Sequence, residues 1–347
     1  MKKIILIAFA IAFTACSSTQ NAYKNNVSNL DKAEKYAKTI TEKDLKKHLY
    51  IYASDEFEGR LTGEPGQKKA VEYLKNFYIK EGIASAFGGT NYFQEVPEKW
   101  LNENSRRGKL KASENVLAFI KGSEKPEEIV VISAHLDHEG IKNGKIYNGA
   151  DDDGSGTVAL LEIAEAFKMA AKNGQNPKRT ILFLHVTGEE KGLLGSSYYT
   201  DVDPIFPLAN TVADLNIDMI GRIDPKRKEG DRNYIYLIGS DKLSTELHNI
   251  SEEVNKKYMN VELDYTYNDE NDPNRFYYRS DHYNFAKNNV PVIFYFNGTH
   301  ADYHQPSDTP DKIEYDLLEN RTRLVFHTAW ELANRENRIV VDKADKK

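Results

Sequence analysis

The sequence predicts an α/β fold: a central mixed, largely parallel sheet flanked by helices on both faces. Three observations lead there. Nearly unbroken apolar runs of strand length recur at 129–134, 181–186, 212–217, 234–238 and 290–296, the pattern of strands buried on both faces. Helical patterns lie between several of them, and alternating strands and helices build layered sheets joined by parallel crossovers. The chain is also long enough to cover such a sheet, with 347 residues, 40% of them hydrophobic and 29% charged.

The elements follow in chain order. Lys2 and Lys3 precede a ten-residue apolar stretch from Ile4 to Phe13, then Thr14-Ala15-Cys16. That is the order of a bacterial export signal, and the stretch is too short to span a bilayer. It resembles a lipoprotein signal, which implies cleavage after residue 15, a lipid on Cys16, and a mature protein in the bacterial cell envelope, anchored to a membrane and facing the periplasm or exterior. Loss of residues 1–15 removes two lysines, so the formal charge of 47 − 53 = −6 becomes 45 − 53 = −8. Residues 16–30, rich in Ser, Asn and Lys, read as a tether. Residues 31–340 read as one folded domain. Within it, helical periodicity covers 34–52 and 70–79, the latter closed by Gly82, and short strands are expected at 92–96 and 115–120 with a polar, basic loop between. Leu160, Ile163, Ala164, Phe167 and Ala171 recur at helical spacing up to Gly174, and further helices are expected at 243–258 and 317–333.

Composition excludes some functions. Cys16 is the one cysteine, so neither a disulfide framework nor a thiolate metal site exists. A mildly acidic chain without a clustered basic face is no nucleic-acid binder. Oligomeric state is not written in the sequence.

Chemistry gathers just past the apolar runs, where ligand sites form in open α/β sheets. His135-Leu136-Asp137-His138 follows one strand and Asn148-Gly149-Ala150-Asp151-Asp152-Asp153-Gly154-Ser155-Gly156 opens the next helix. Thr187-Gly188-Glu189-Glu190 follows a second strand, Asp218 a third, and Asp302-Tyr303-His304-Gln305-Pro306-Ser307-Asp308 comes near the end. Imidazoles and carboxylates without thiolates suit a catalytic zinc site with an open position. Three aspartates at a helix start would serve the helix dipole by themselves, and Glu189-Glu190 would serve as a solvated helix start. Five such groups, each beyond a buried strand, favour metal.

These motifs, in this order, resemble the co-catalytic di-zinc aminopeptidase family, which also includes glutamate carboxypeptidase and glutaminyl cyclase relatives. The resemblance extends from about Leu49, through Ser54-Asp55-Glu56-Phe57-Glu58-Gly59-Arg60, to the last helix. It implies a zinc exopeptidase fold with two Zn²⁺ per chain, one held by His135, Asp152 and Asp218, the other by Asp152, Glu190 and His304. It further implies Glu189 as the general base for an attacking water, Asp137 as the carboxylate holding the second nitrogen of His135, and Tyr303 as donor to the developing oxyanion. Arg279 of Arg279-Ser280-Asp281-His282 matches a motif lining the substrate cleft, a structural salt bridge being the other reading. His138, His282 and His300 read as surface groups or as supports behind the ligands. Tyr265, Tyr267, Tyr277 and Tyr278 are candidates to wall the pocket. The implied activity is removal of N-terminal residues from peptides with a free N-terminus. Cyclisation of N-terminal glutamine and carboxypeptidase action are the alternatives on the same fold.

Overall fold

The computed structural model describes residues 32–227 and 229–344. The export signal, Cys16 and the tether lie outside the described residues. Eleven strands form among the described residues: β1 (Ala84–Ser85), β2 (Phe93–Val96), β3 (Ser113–Ile120), β4 (Lys125–His135), β5 (Gly140–Lys142), β6 (Lys145–Tyr147), β7 (Arg179–Val186), β8 (Thr211–Ile217), β9 (Tyr234–Ile238), β10 (Glu262–Asp264) and β11 (Val292–Phe296). Nine make one sheet in the order β1-β3-β7-β4-β8-β11-β9-β10, with β2 also paired to β3, while β5 and β6 form a separate hairpin. The four central strands, β7, β4, β8 and β11, are mutually parallel, and antiparallel pairs flank them. The apolar runs are explained by burial, since every residue of β7, β8, β9 and β11 is inside.

Five long helices accompany the sheet: α1 (Glu42–Tyr52), α2 (Pro65–Glu81), α3 (Gly156–Lys172), α4 (Thr245–Tyr258) and α5 (Tyr315–Asn334). All five contribute to one apolar cluster with alternate strand residues such as Val130, Ile132 and Ala134. The intervening Ile129 and Val131 point to the other face, where they pack with Leu182 and Leu184 of β7 and with Tyr199 and Phe285 from shorter helical segments. Helices therefore cover both faces, long ones on one side and short ones on the other.

The helical periodicity at 34–52 does not make one helix. Helical residues 32–37 stop before Thr41, whose side chain takes the Asp44 amide at 3.2 Å and starts α1. Both pieces bury Tyr36, Ala37, Leu45 and Leu49 in the same core, so the apolar spacing runs through a break made by a cap. Helix α2 begins earlier than its apolar pattern, with Pro65 in its first turn, and ends at Gly82 with φ 69°, the left-handed conformation that closes helices.

Candidate metal centre

Parallel register brings the carboxyl ends of β7, β4, β8 and β11 to one edge. His135 is paired with Val186 across β4 and β7, Ser133 with Asn216 across β4 and β8, and Ile217 with Tyr295 across β8 and β11. The residues just beyond those positions therefore converge.

His135 Nε2 lies 3.1 Å from Asp152 Oδ1 and 3.6 Å from Asp218 Oδ1. His304 Nε2 lies 3.0 Å from Asp152 Oδ2 and 3.2 Å from Glu190 Oε2. Asp152 thus stands between two groups of ligand-type atoms. His135 Nε2, Asp152 Oδ2 and Glu190 Oε1 are buried, and although ligand-type atoms stand 3.1, 3.0 and 2.8 Å from them, none is aligned to hydrogen-bond them among the described residues. Buried polar atoms are rarely left so. Ligands about 2.1 Å from a tetrahedral zinc are about 3.4 Å apart, so these spacings fit atoms facing a shared ion. The donor set, imidazole and carboxylate, fits as well.

Charge points the same way. Burial pulls both imidazoles down, but Asp218 and Asp152 hold His135 well above the usual histidine range, and Asp152 with Glu190 carries His304 up to about 10. So much negative charge in a buried cleft calls for cations to offset it.

Supports behind these atoms come from several segments. The Asp153 carboxylate accepts the amides of His135, Gly156 and Met219, at 3.1, 3.0 and 3.0 Å, and so joins three ligand-bearing stretches. Asp308 accepts the amides of Asp151 and Asp152, and Asp151 in turn accepts from Gly221 and faces His300 Nε2 at 3.1 Å. Ser280 donates to Asp218 at 2.6 Å. Gly149, with φ 55°, leaves room that a Cβ would take from the Asp152 carbonyl and the His138 ring.

Arg60 is fully buried and has no ion pair among the described residues. Instead its guanidinium donates to the carbonyls of Leu136 (3.1 Å), Tyr52 (3.2 Å), Asn148 (2.7 Å) and Gly149 (2.9 Å). It thereby ties the loop after β4 to the loop before α3.

One residue departs from its expected role. His135 Nδ1 contacts the backbone carbonyl of Asp137 at 3.0 Å, while the Asp137 carboxylate lies farther off at 3.8 Å. That carboxylate accepts instead from Thr62 Oγ1 (2.7 Å) and the Glu189 amide (3.1 Å), so it holds the Glu189 turn. Those two donors, brought in from distant segments, draw it away from the ring. Of the two places expected for His138, surface or support behind a ligand, it takes the second: it is buried with Nδ1 2.8 Å from Glu190 Oε1. It shares with Asp152 and Glu190 a third arrangement able to hold an ion.

Glu189 sits beside these atoms without joining them. Burial raises its carboxyl well above the ordinary range, and the charges of Glu190, Asp218 and Asp281 add to the rise. Tyr303 stacks on His304 at 3.9 Å, and burial raises its phenol, which keeps it a protonated donor. Arg279 makes no salt bridge among the described residues; it lies 4.7 Å over the Phe276 ring and reaches Tyr303 Oη at 3.5 Å. Its neighbours in the motif are structural: Asp281 accepts from Ser196 and His282 stacks on Phe294 at 4.7 Å.

Two hollows meet here. One, of about 330 Å³, runs past Asp218 and is lined by Met219, Phe276, Phe294 and Phe296. The other, of about 630 Å³, runs past Glu190 and His304 toward Arg106 and Arg107. Glu189, Arg279 and Tyr303 border both. Of the four tyrosines expected to wall the pocket, only Tyr278 touches either hollow. Tyr265 is bonded to Glu252, Tyr267 to Asp224, and Tyr277 lines a neighbouring cavity, because the chain turns at Phe276 and inserts that ring instead.

Comparison with known proteins places these features in a family. The sequence pattern of peptidase family M28 matches residues 115–329. A probable leucine aminopeptidase of Arthroderma otae is 28% identical over 290 residues, covering 78% of this chain and 71% of that protein. The probable glutamate carboxypeptidase AMP1 of Arabidopsis thaliana is 37% identical over 110 residues, or 32% of this chain, and the match spans only 15% of that longer protein. In structure, the Legionella pneumophila LapA aminopeptidase aligns with a TM-score of 0.66 at 20% identity, over 88% of this chain and 76% of the other, a likeness of fold.

Proposed function

The chain belongs to peptidase family M28, and from that premise we propose that it is a zinc-dependent aminopeptidase, removing single residues from the free N-termini of peptides. The observation that carries this reading is the convergence of His135, Asp152, Asp218, Glu190 and His304 in one buried cleft, with imidazole nitrogens 3.0 to 3.6 Å from the facing carboxylate oxygens. In it, His135, Asp152 and Asp218 would hold one zinc and Asp152, Glu190 and His304 a second. Zinc bound there supplies Lewis acidity toward the scissile carbonyl and toward water.

The chain's own residues do the rest. Glu189, made basic by its surroundings, takes the proton of the attacking water and passes it to the leaving amine. Tyr303 donates to the carbonyl oxygen as it gains charge. Asp137 keeps Glu189 in place through its amide. Asp218 and Glu189 present negative charge where a substrate ammonium would lie, and the aromatic hollow beside them suits an apolar first side chain. Residues 31–340 make one catalytic domain. The basic, apolar start and Cys16 support export and a lipid anchor in the cell envelope.

Protein stripped by a chelator is expected to lose activity and to regain it as zinc approaches two equivalents; full activity in verified metal-free protein would overturn the proposal. Acetylating a peptide's N-terminus removes the charge that Asp218 and Glu189 favour. N-acetylated peptides should therefore resist cleavage while long C-amidated ones shorten from the front. A mass-spectrometric ladder from the C-terminus would instead identify a carboxypeptidase, and pyroglutamate from a Gln-initiated peptide a cyclase.

A further inference from the structure

The hollow beyond Glu190 and His304 differs in charge from the one past Asp218. Arg106 and Arg107 stand in its wall, exposed, and Arg279 stands at its border. None of the three has a carboxylate partner among the described residues, and the guanidinium groups of Arg106 and Arg107 make no hydrogen bond there. Lys191, the fourth cation of this wall, is already engaged, with Nζ 3.1 Å from Glu139 Oε2.

The two free arginines are nevertheless placed. The Arg106 amide donates to the Lys191 carbonyl at 3.1 Å, and the Arg107 amide to Ser105 Oγ at 3.1 Å. The Arg106 stem crosses Gly192, where an added Cβ would stand 3.4 Å from its Cγ. The basic loop is thus fastened to the turn that carries Glu189 and Glu190. A guanidinium is a planar fork suited to binding a carboxylate through two bonds. On the opposite side of Glu189, Asp218 offers negative charge.

We propose that the cationic hollow receives a carboxylate carried by the part of the substrate that leaves. That group is the terminal carboxylate of a di- or tripeptide, or the side chain of Asp or Glu directly after the released residue. This rests on the aminopeptidase reading, in which the first residue lies on the Asp218 side. The two ends of a short peptide then meet charges of the opposite sign across the cleft, and short or acidic peptides are selected over neutral long ones.

Binding tests it apart from turnover. Zinc-loaded Glu189→Gln protein, slow enough for titration calorimetry, is expected to bind Leu-Ala about tenfold more tightly than Leu-Ala-amide, as a hydrogen-bonded charge would bring. The difference should shrink between about 50 and 500 mM NaCl, because exposed arginines are screened. Adding Arg106→Gln and Arg107→Gln should bring the ratio toward one. Leu-Glu-Ala-Ala-amide against Leu-Gln-Ala-Ala-amide tests the side-chain source of the carboxylate. Equal binding of acid and amide in both pairs, or a ratio that survives loss of both arginines, overturns the proposal. A binding preference with no release of N-terminal leucine by the zinc-loaded wild-type enzyme would leave the hollow standing and overturn the aminopeptidase reading instead.

Discussion

His135, Asp152 and Asp218, at the floor of the cleft, are 1%, 3% and 7% exposed, and the carboxylates of Asp153 and Asp308 and the Ser280 hydroxyl hold the segments that carry them. Arg106, Arg107 and Arg279, at the rim, are exposed; the two in the basic loop are fixed only through their backbone. A floor atom cannot move without breaking several buried hydrogen bonds, each costly to leave unmade. A rim side chain swings in water at little cost. On the proposed function, ion placement and turnover would belong to the floor and selection among substrates to the rim.

Substitutions can break that division or sharpen it. Asp152→Ala removes the carboxylate standing between both groups of ligand atoms. Metal content should fall at both sites, and activity should drop by more than the roughly 10⁴-fold upper range of general-base loss. Retention of two zincs by that variant would mean that the floor is organised otherwise.

Next in size, Glu189→Gln should slow turnover by about 10² to 10⁴-fold with both metals kept. Glu190→Gln, its neighbour, should lose metal at one site. Metal analysis of the two purified variants decides, and the reverse outcome exchanges their roles.

Ser280→Ala leaves Asp218 in place but takes away its 2.6 Å hydrogen bond. Losing such a support should weaken metal affinity by about 10- to 100-fold, measured by competition with a chelator. An unchanged affinity would show that Asp218 is oriented from elsewhere. The smallest effect is expected at the rim: Arg279→Gln should raise KM for short peptides with a free C-terminus about two- to fivefold, the scale of an exposed charge contact, with KM for their amides and metal content unaltered. A fall in metal content there would erase the distinction between rim and floor.

What could be read from the chain alone follows the same boundary. Central strands such as 181–186 and 212–217 are legible because burial on both faces demands unbroken apolar runs, and the ligand-type residues are legible because they cluster directly after those runs. The break at Thr41 is not legible, since the helical pieces on both sides face one core and keep one periodicity. The partners that orient the floor come from remote segments: Thr62 is 75 residues from Asp137, and Ser280 is 62 from Asp218. No local spacing announces them. In sequence Asp153 is one of three consecutive aspartates, and only folding reveals that three amides from separate stretches meet on its carboxylate. Phe276 took the place expected of its tyrosine neighbours because loop geometry, not composition, decides which ring turns inward.

Arg60 carries one more consequence. Its four hydrogen bonds to neutral carbonyls join the His135 loop to the Asp152 loop without help from any ion. Zinc uptake is therefore expected to leave the join between these two loops as it is, in contrast to small domains for which metal binding and folding are a single event. Ion and fold are linked here by mass action: at a free concentration 100 times its Kd, one ion adds about 2.7 kcal/mol to an already folded protein. A protein built this way can fold first and acquire its ions afterwards from whatever its surroundings provide.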